Sequence, residues 1–170
     1  TMRLCGQPPA DPQQAGQLSF VETISTLDQM PADLGHEETI VFFNDSDQFH
    51  WCRPTAELCD LRTGVICTPN NFDYDPALGD LPDGMMRVTA LADHDGWTGL
   101  GEEAYQAAKL DWGQRSLASA VRFVTDYRSH VVDTDMFTPR TIEHFTSHVN
   151  GAVYGAPVKY IDGRTPVQNL

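Results

Sequence analysis

One long helical stretch, set among short β-prone runs, limits most strongly what this chain can fold into. Within residues 102–124, Leu110, Leu117, Val121 and Val124 fall on one stripe, and Tyr105, Ala108 and Trp112 fall on a neighbouring one. That spacing is the periodicity of an amphipathic helix. Glu102 and Glu103 stand in its first turn, where carboxylates favour the positive end of the helix dipole. Two apolar stripes predict a well-buried helix lying across a sheet. Gly113 in its middle costs about 1 kcal/mol against Ala; close approach to a neighbouring element is the expected reason for it.

Four β-prone runs precede this helix and one follows it. Residues 18–25 alternate, which predicts a strand with Leu18, Phe20 and Ile24 turned to a core. Thr39-Ile40-Val41-Phe42-Phe43 is a continuous β-branched and aromatic run, expected of a strand buried on both faces. Residues 64–68, ended by Pro69, and residues 85–91 supply two more, and the three strands between 39 and 91 are expected in one sheet. Residues 131–137 read as a late strand. Thr138 then precedes Pro139, a helix start in which Thr caps and Pro lacks only an N–H that would be unpaired anyway. Asn150-Gly151-Ala152-Val153-Tyr154-Gly155 reads as a glycine-hinged turn. Residues 1–16, rich in Pro, Gln and Gly, read as a flexible lead-in to a domain over 17–170. The expected fold class is α+β: a mixed or mainly antiparallel sheet of about five strands, covered by one long helix plus shorter helices.

Composition narrows the function classes. The 170 residues carry a net charge of -13, which argues against sequence-independent nucleic-acid binding, since that requires Lys and Arg to neutralise phosphates. The same charge disfavours docking on anionic lipid. Hydrophobic and charged fractions of 41% and 21% are those of an ordinary globular domain. Cys5, Cys52, Cys59 and Cys67 include no C-x-x-C pair and read as reduced thiols. No G-x-S-x-G elbow, G-x-G-x-x-G fingerprint or Walker loop occurs, so nothing points to self-sufficient catalysis. His144 and His148 stand four apart without the H-E-x-x-H pattern, and His36-Glu37-Glu38 and Asp93-His94-Asp95 lack a spaced partner; all read as solvated residues, with no metal site. The aromatics Phe49, Trp51, Phe72, Tyr74 and Trp97 read as packing, or alternatively as the lining of an apolar pocket.

Three stretches carry a resemblance: Gly16-Gln17-Leu18-Ser19-Phe20-Val21-Glu22, Thr39-Ile40-Val41-Phe42-Phe43-Asn44-Asp45, and Phe137-Thr138-Pro139-Arg140-Thr141 followed by Gly151-Ala152-Val153-Tyr154-Gly155. Together they resemble the substrate-domain half of the phytoene dehydrogenase-like FAD-dependent oxidoreductases, relatives of carotenoid desaturases and retinol saturase. The resemblance spans about residues 16–170, and its most specific part is the T-P-x-T … G-x-x-Y-G pair. It implies the substrate-binding domain of a larger enzyme that transfers hydride between flavin and an apolar substrate of polyene or lipid type. It also implies that Thr138, Thr141, Gly151, Tyr154 and Gly155 lie near the flavin ring. Glycines admit close backbone approach to a flat cofactor, and a tyrosine offers an aromatic face with a polar tip.

The family's Gly-rich flavin loop and its second flavin-contacting segment do not occur in this sequence. FAD is therefore expected in the full-length protein and none in this fragment, which is expected to be inactive alone. The ending at Asn169-Leu170, on the approach to a strand, fits an excised piece. The implied partners are the flavin-binding domain of the same polypeptide and an apolar small molecule, with self-association through an apolar face that loss of the flavin domain would expose. The implied location is the cytoplasm, peripheral to a membrane in the full-length protein. The alternative is a freestanding acidic, non-catalytic binding or interaction module.

Overall fold

A computed structural model describes residues 16–45, 57–75, 77, 79 and 81–154. Among them, β1 (Ser19–Leu27), β2 (Ile40–Asn44), β3 (Cys59–Cys67), β4 (Gly84–Ala92) and β5 (Val131–Phe137) form one sheet in the order β2-β3-β4-β1-β5. Every neighbouring pair is antiparallel. Three α-helices accompany the sheet: α1 (His94–Thr98), α2 (Glu102–Ala120) and α3 (Pro139–Thr146). The chain thus adopts the expected α+β architecture, with one long helix on a mainly antiparallel sheet. The three strands between 39 and 91 are adjacent in it, as expected.

Register decides which residues face the helix. Val21 lies opposite Ala90, Thr23 opposite Val88 and Ser25 opposite Met86, and these residues are buried beneath α2. One core cluster joins Val21, Ala90, Trp97, Tyr105, Trp112 and Met136. A second joins Leu27, Ile66, Met86, Val88, Ala120 and Tyr127. Phe20 and Ile24, expected to face the core, point instead to the opposite, open face, where they are half-buried. A strand of period two offers two phases, and β1 is apolar enough in both. Its smaller set, Ser19, Thr23 and Ser25, lies under the helix.

Three further expectations need correction. The helix ends at Ala120 rather than 124, and its buried side is Tyr105, Trp112, Ser116, Ser119 and Ala120, while Leu110 is 72% exposed. Gly113 is not explained by close approach, because a Cβ there would meet nothing within 4 Å. The run 39–43 is not buried on both faces: β2 is an edge strand, with Phe43 stacked on Phe123 inside and Phe42 80% exposed outside. An apolar run has the composition of a central strand, but strand order is set by non-local pairing.

Candidate functional site

β5 delivers Phe137 to the open face, and Thr138 then starts α3. Thr138 and Thr141 close a reciprocal capping box, in which the Thr138 N–H donates to Thr141 Oγ1 at 3.2 Å. Pro139 occupies the first helical turn. From α2, the Tyr105 hydroxyl reaches Thr138 Oγ1 at 2.9 Å and Thr141 Oγ1 at 3.5 Å. The Arg140 guanidinium lies 4.1 Å from the centre of the Tyr105 ring and also bonds Glu102 at 3.2 Å. Thr138 is fully buried in this arrangement.

The turn at 149–151 docks against α3. Asn150 and Gly151 both have positive φ, 62° and 53°. A Cβ on Gly151 would stand 2.6 Å from the Pro139 carbonyl oxygen, so no larger residue fits without movement. Ser19 Oγ donates to the Gly151 carbonyl at 2.7 Å, and Asn150 Nδ2 donates to the Gly16 carbonyl at 3.1 Å. The Val153 N–H donates to the Leu18 carbonyl at 3.0 Å, and Tyr154 meets the Phe20 ring edge-on at 5.9 Å. The stretches 16–22, 137–141 and 151–154, remote in sequence, therefore form one knot. The stretch 39–45 lies at the far edge of the sheet, and Gly155 lies outside the described residues.

Within this knot the expected site residues divide by exposure. Thr138 and Gly151 are buried and Thr141 is half-buried, with their polar groups bonded inside the fold. The space cleared by the missing Cβ of Gly151 is filled by the Pro139 backbone, so this glycine offers no cradle to a flat cofactor. Tyr154, 64% exposed, and Phe137, 43% exposed, are the side chains turned outward. Next to them on the open face, Glu22 pairs with Arg87, and that hydrogen bond holds the guanidinium more firmly protonated than usual. Burial raises the Cys67 thiol above its ordinary range, and burial pushes the Cys59 thiol up to about 12. A raised pKa leaves less of the reactive thiolate at either cysteine. The surface is an aromatic wall with one ion pair beside it.

Several contributors were not singled out as site residues. Ser19, Phe20 and Glu22 lie in a stretch that carried the resemblance, which was their only signal. Tyr105 was legible only as part of a helical stripe. Asp93-His94-Asp95, expected as a polar loop, starts α1: Asp93 accepts the Gly96 N–H at 2.6 Å, and His94 lies 3.0 Å from both Asp95 and Glu143. His144 sits edge-on to Phe145, and His148 Nδ1 donates to the Ala152 carbonyl at 2.8 Å. Among the described residues, no group of three His, Cys, Asp or Glu side chains could hold a metal ion. Trp97 is fully buried in the core, whereas Phe72 and Tyr74 flank a groove of about 460 Å³ with Met30 and Leu81. Phe49, Trp51, Cys5 and Cys52 lie outside the described residues. No described helix is long and apolar enough to cross a membrane.

No protein-family model matches the chain, and no curated protein is significantly similar to it.

Proposed function

We propose that the chain is the substrate-binding domain of a flavin-dependent oxidoreductase of the phytoene dehydrogenase-like kind, acting by hydride transfer on an apolar, polyene- or lipid-like substrate. The observation that carries this reading is the convergence of 16–22, 137–141 and 151–154 on one knot, which presents Phe20, Phe137 and Tyr154 along the rim of an open sheet face. The stretches that carried the resemblance there are also the ones the fold brings into contact. In this reading Thr138, Thr141 and Gly151 hold the wall in place, and Tyr154 and Phe137 touch the bound molecule. The flavin, supplied by the rest of the polypeptide, carries the redox chemistry.

The isolated chain should purify colourless and bind a soluble polyene probe, with quenching of aromatic fluorescence that weakens several-fold in Tyr154→Ala. Stoichiometric bound flavin, or no polyene binding at all, overturns the reading. The alternative of a freestanding non-catalytic module is favoured by one observation: the threonine hydroxyls of the knot are taken up by structural bonds. A native reading frame carrying a Gly-rich βαβ segment upstream decides for the oxidoreductase.

A further inference from the structure

We propose that a groove beside His36, on the covered side of the sheet, binds a small neutral molecule with an apolar body and one hydroxyl, of the phenol class. The groove measures about 430 Å³ and lies between the 35–38 loop, the β2–β3 pair and the segment that follows α2. Val41, Ile66, Phe123 and Val124 supply its apolar wall. Val41 and Ile66 are cross-strand neighbours, and Ile66 belongs to the core that Ala120 of α2 closes. The groove is therefore separate from the aromatic rim of the open face, and it does not rest on the oxidoreductase reading.

His36 is held in place from several sides. The turn Pro31–Leu34 ends at Gly35, whose φ is 83°, and the His36 N–H donates to the Pro31 carbonyl at 2.9 Å. Asn71 Nδ2 donates to the His36 carbonyl at 2.7 Å. The imidazole packs edge-on with Tyr127, the ring centres 5.7 Å apart. His36 is only 6% exposed, and its Nε2 has no hydrogen-bond partner among the described residues. The same is true of the hydroxyl of the fully buried Tyr127. A buried polar atom without a partner carries a free-energy cost that a well-placed ligand group removes.

The chemistry of the groove selects the occupant. Burial lowers the His36 pKa and keeps the ring neutral at neutral pH, so it offers an anion no charge. Glu37 and Glu38 border the same groove on a chain of net charge -13 and repel anions. Arg122 also lines it, but its guanidinium is engaged by Asp45 and Ser119. A cation finds no buried counter-charge, because Glu37 and Glu38 are both exposed. A hydroxyl both donates and accepts, so it satisfies Nε2 in either tautomer of the neutral ring. Water meets the nitrogen alone, whereas a phenol meets it and covers the apolar wall as well.

NMR titrations of the chain with phenol, toluene and benzoate test this, since the three share a ring and differ in the group offered to Nε2. Phenol should shift the ring signals of His36 and Tyr127 and the methyl signals of Val41, Ile66 and Val124. It should bind about tenfold more tightly than toluene, the scale of one hydrogen bond to a buried group. Benzoate should bind more weakly than phenol. In a long-range proton–nitrogen spectrum, His36 Nε2 should move with phenol and stay fixed with toluene. His36→Phe keeps a ring beside Tyr127 but removes the nitrogen, so phenol and toluene should then bind alike; if that variant does not fold, the Nε2 signal of the parent chain decides. No shift at His36 up to the solubility of phenol overturns the proposal. So does toluene or benzoate matching phenol, or a folded His36→Phe chain that still prefers phenol as strongly as the parent.

Discussion

Under α2, β1 presents Ser19, Val21, Thr23, Ser25 and Leu27, and β4 presents Met86, Val88 and Ala90; on the opposite face the same strands present Phe20, Glu22, Ile24 and Thr26, and Met85, Arg87, Thr89 and Leu91. The open face carries the bulkier side chains, yet the covered face is the one that is fully buried. Small residues keep α2 close to the sheet: Ala120 packs with Leu27, Ile66, Met86 and Val88, and Ser119 Oγ donates to the Leu61 carbonyl at 2.8 Å. The closeness has a cost, since the hydroxyls of Thr23, Ser25 and Ser116 are buried without a hydrogen-bond partner. The difference teaches that the fold of this chain depends on the covered face. The large open-face side chains remain available to a ligand or partner.

The strongest test of that contrast compares one residue from each side. Trp97 is fully buried, packs edge-on against Tyr105 at 5.9 Å and donates its indole N–H to the Leu58 carbonyl at 3.0 Å. Trp97→Ala should lower stability by about 3–5 kcal/mol, the range for deleting a large core aromatic. Phe42→Ala, on the open side, should stay within about 0.5 kcal/mol. Urea unfolding measures both. A loss above about 2 kcal/mol for Phe42→Ala would break the contrast and place that side chain in a buried environment.

How much of this was legible in the sequence follows from the range of the forces involved. The passage from β5 into α3 was readable residue by residue, because capping by Thr138 and the missing N–H of Pro139 are local chemistry. The phase of β1 was not, because Phe20 and Ile24 compete with Val21 and Leu27, and only the approach of α2 chooses between them. The same applies to the helix, where a leucine stripe and a stripe through Tyr105 and Trp112 were both available. Within the site, the contact of Ser19 with Gly151 spans 132 positions, and no local signal encodes it. Resemblance supplied the two stretches, and packing supplied their meeting.

Gly151 offers a smaller but more pointed test, since it connects the covered core to the outward aromatic rim. With φ at 53° and Pro139 O 2.6 Å from where a Cβ would stand, Gly151→Ala combines backbone strain with a clash. The expected cost is about 1–3 kcal/mol in urea unfolding. Displacement of the turn should also remove the contact of Tyr154 with Phe20, read as loss of the ring-current shift on Phe20 in NMR spectra. If the variant is as stable as the parent and keeps that shift, the turn does not hold the rim.

The smallest effect is a pH dependence with two opposed limbs, one from each side of the fold. His36, buried edge-on to Tyr127 at 5.7 Å, has its pKa lowered by burial from the ordinary 6.5. Its neutral form is the folded one, so its contribution is present above pH 6.5 and is lost as the pH falls through the lowered value. His94 is the reverse. Burial opposes its charge, but hydrogen bonds with Glu143 and Asp95 outweigh burial and raise its pKa above 6.5. Its contribution is complete below pH 6.5 and is lost as the pH rises through the raised value. Glu143 and Asp95 are both solvent-exposed, so screening keeps the alkaline limb below about 1 kcal/mol. Thermal melts across the neutral range should show a shallow maximum near pH 6.5. His94→Gln should flatten the alkaline side while leaving the acid side, set by His36, unchanged. An alkaline limb that persists in His94→Gln would show that α1 and α3 are not joined through this histidine, and that the rim holding Phe137 and Tyr154 is fixed by the Thr138 knot alone.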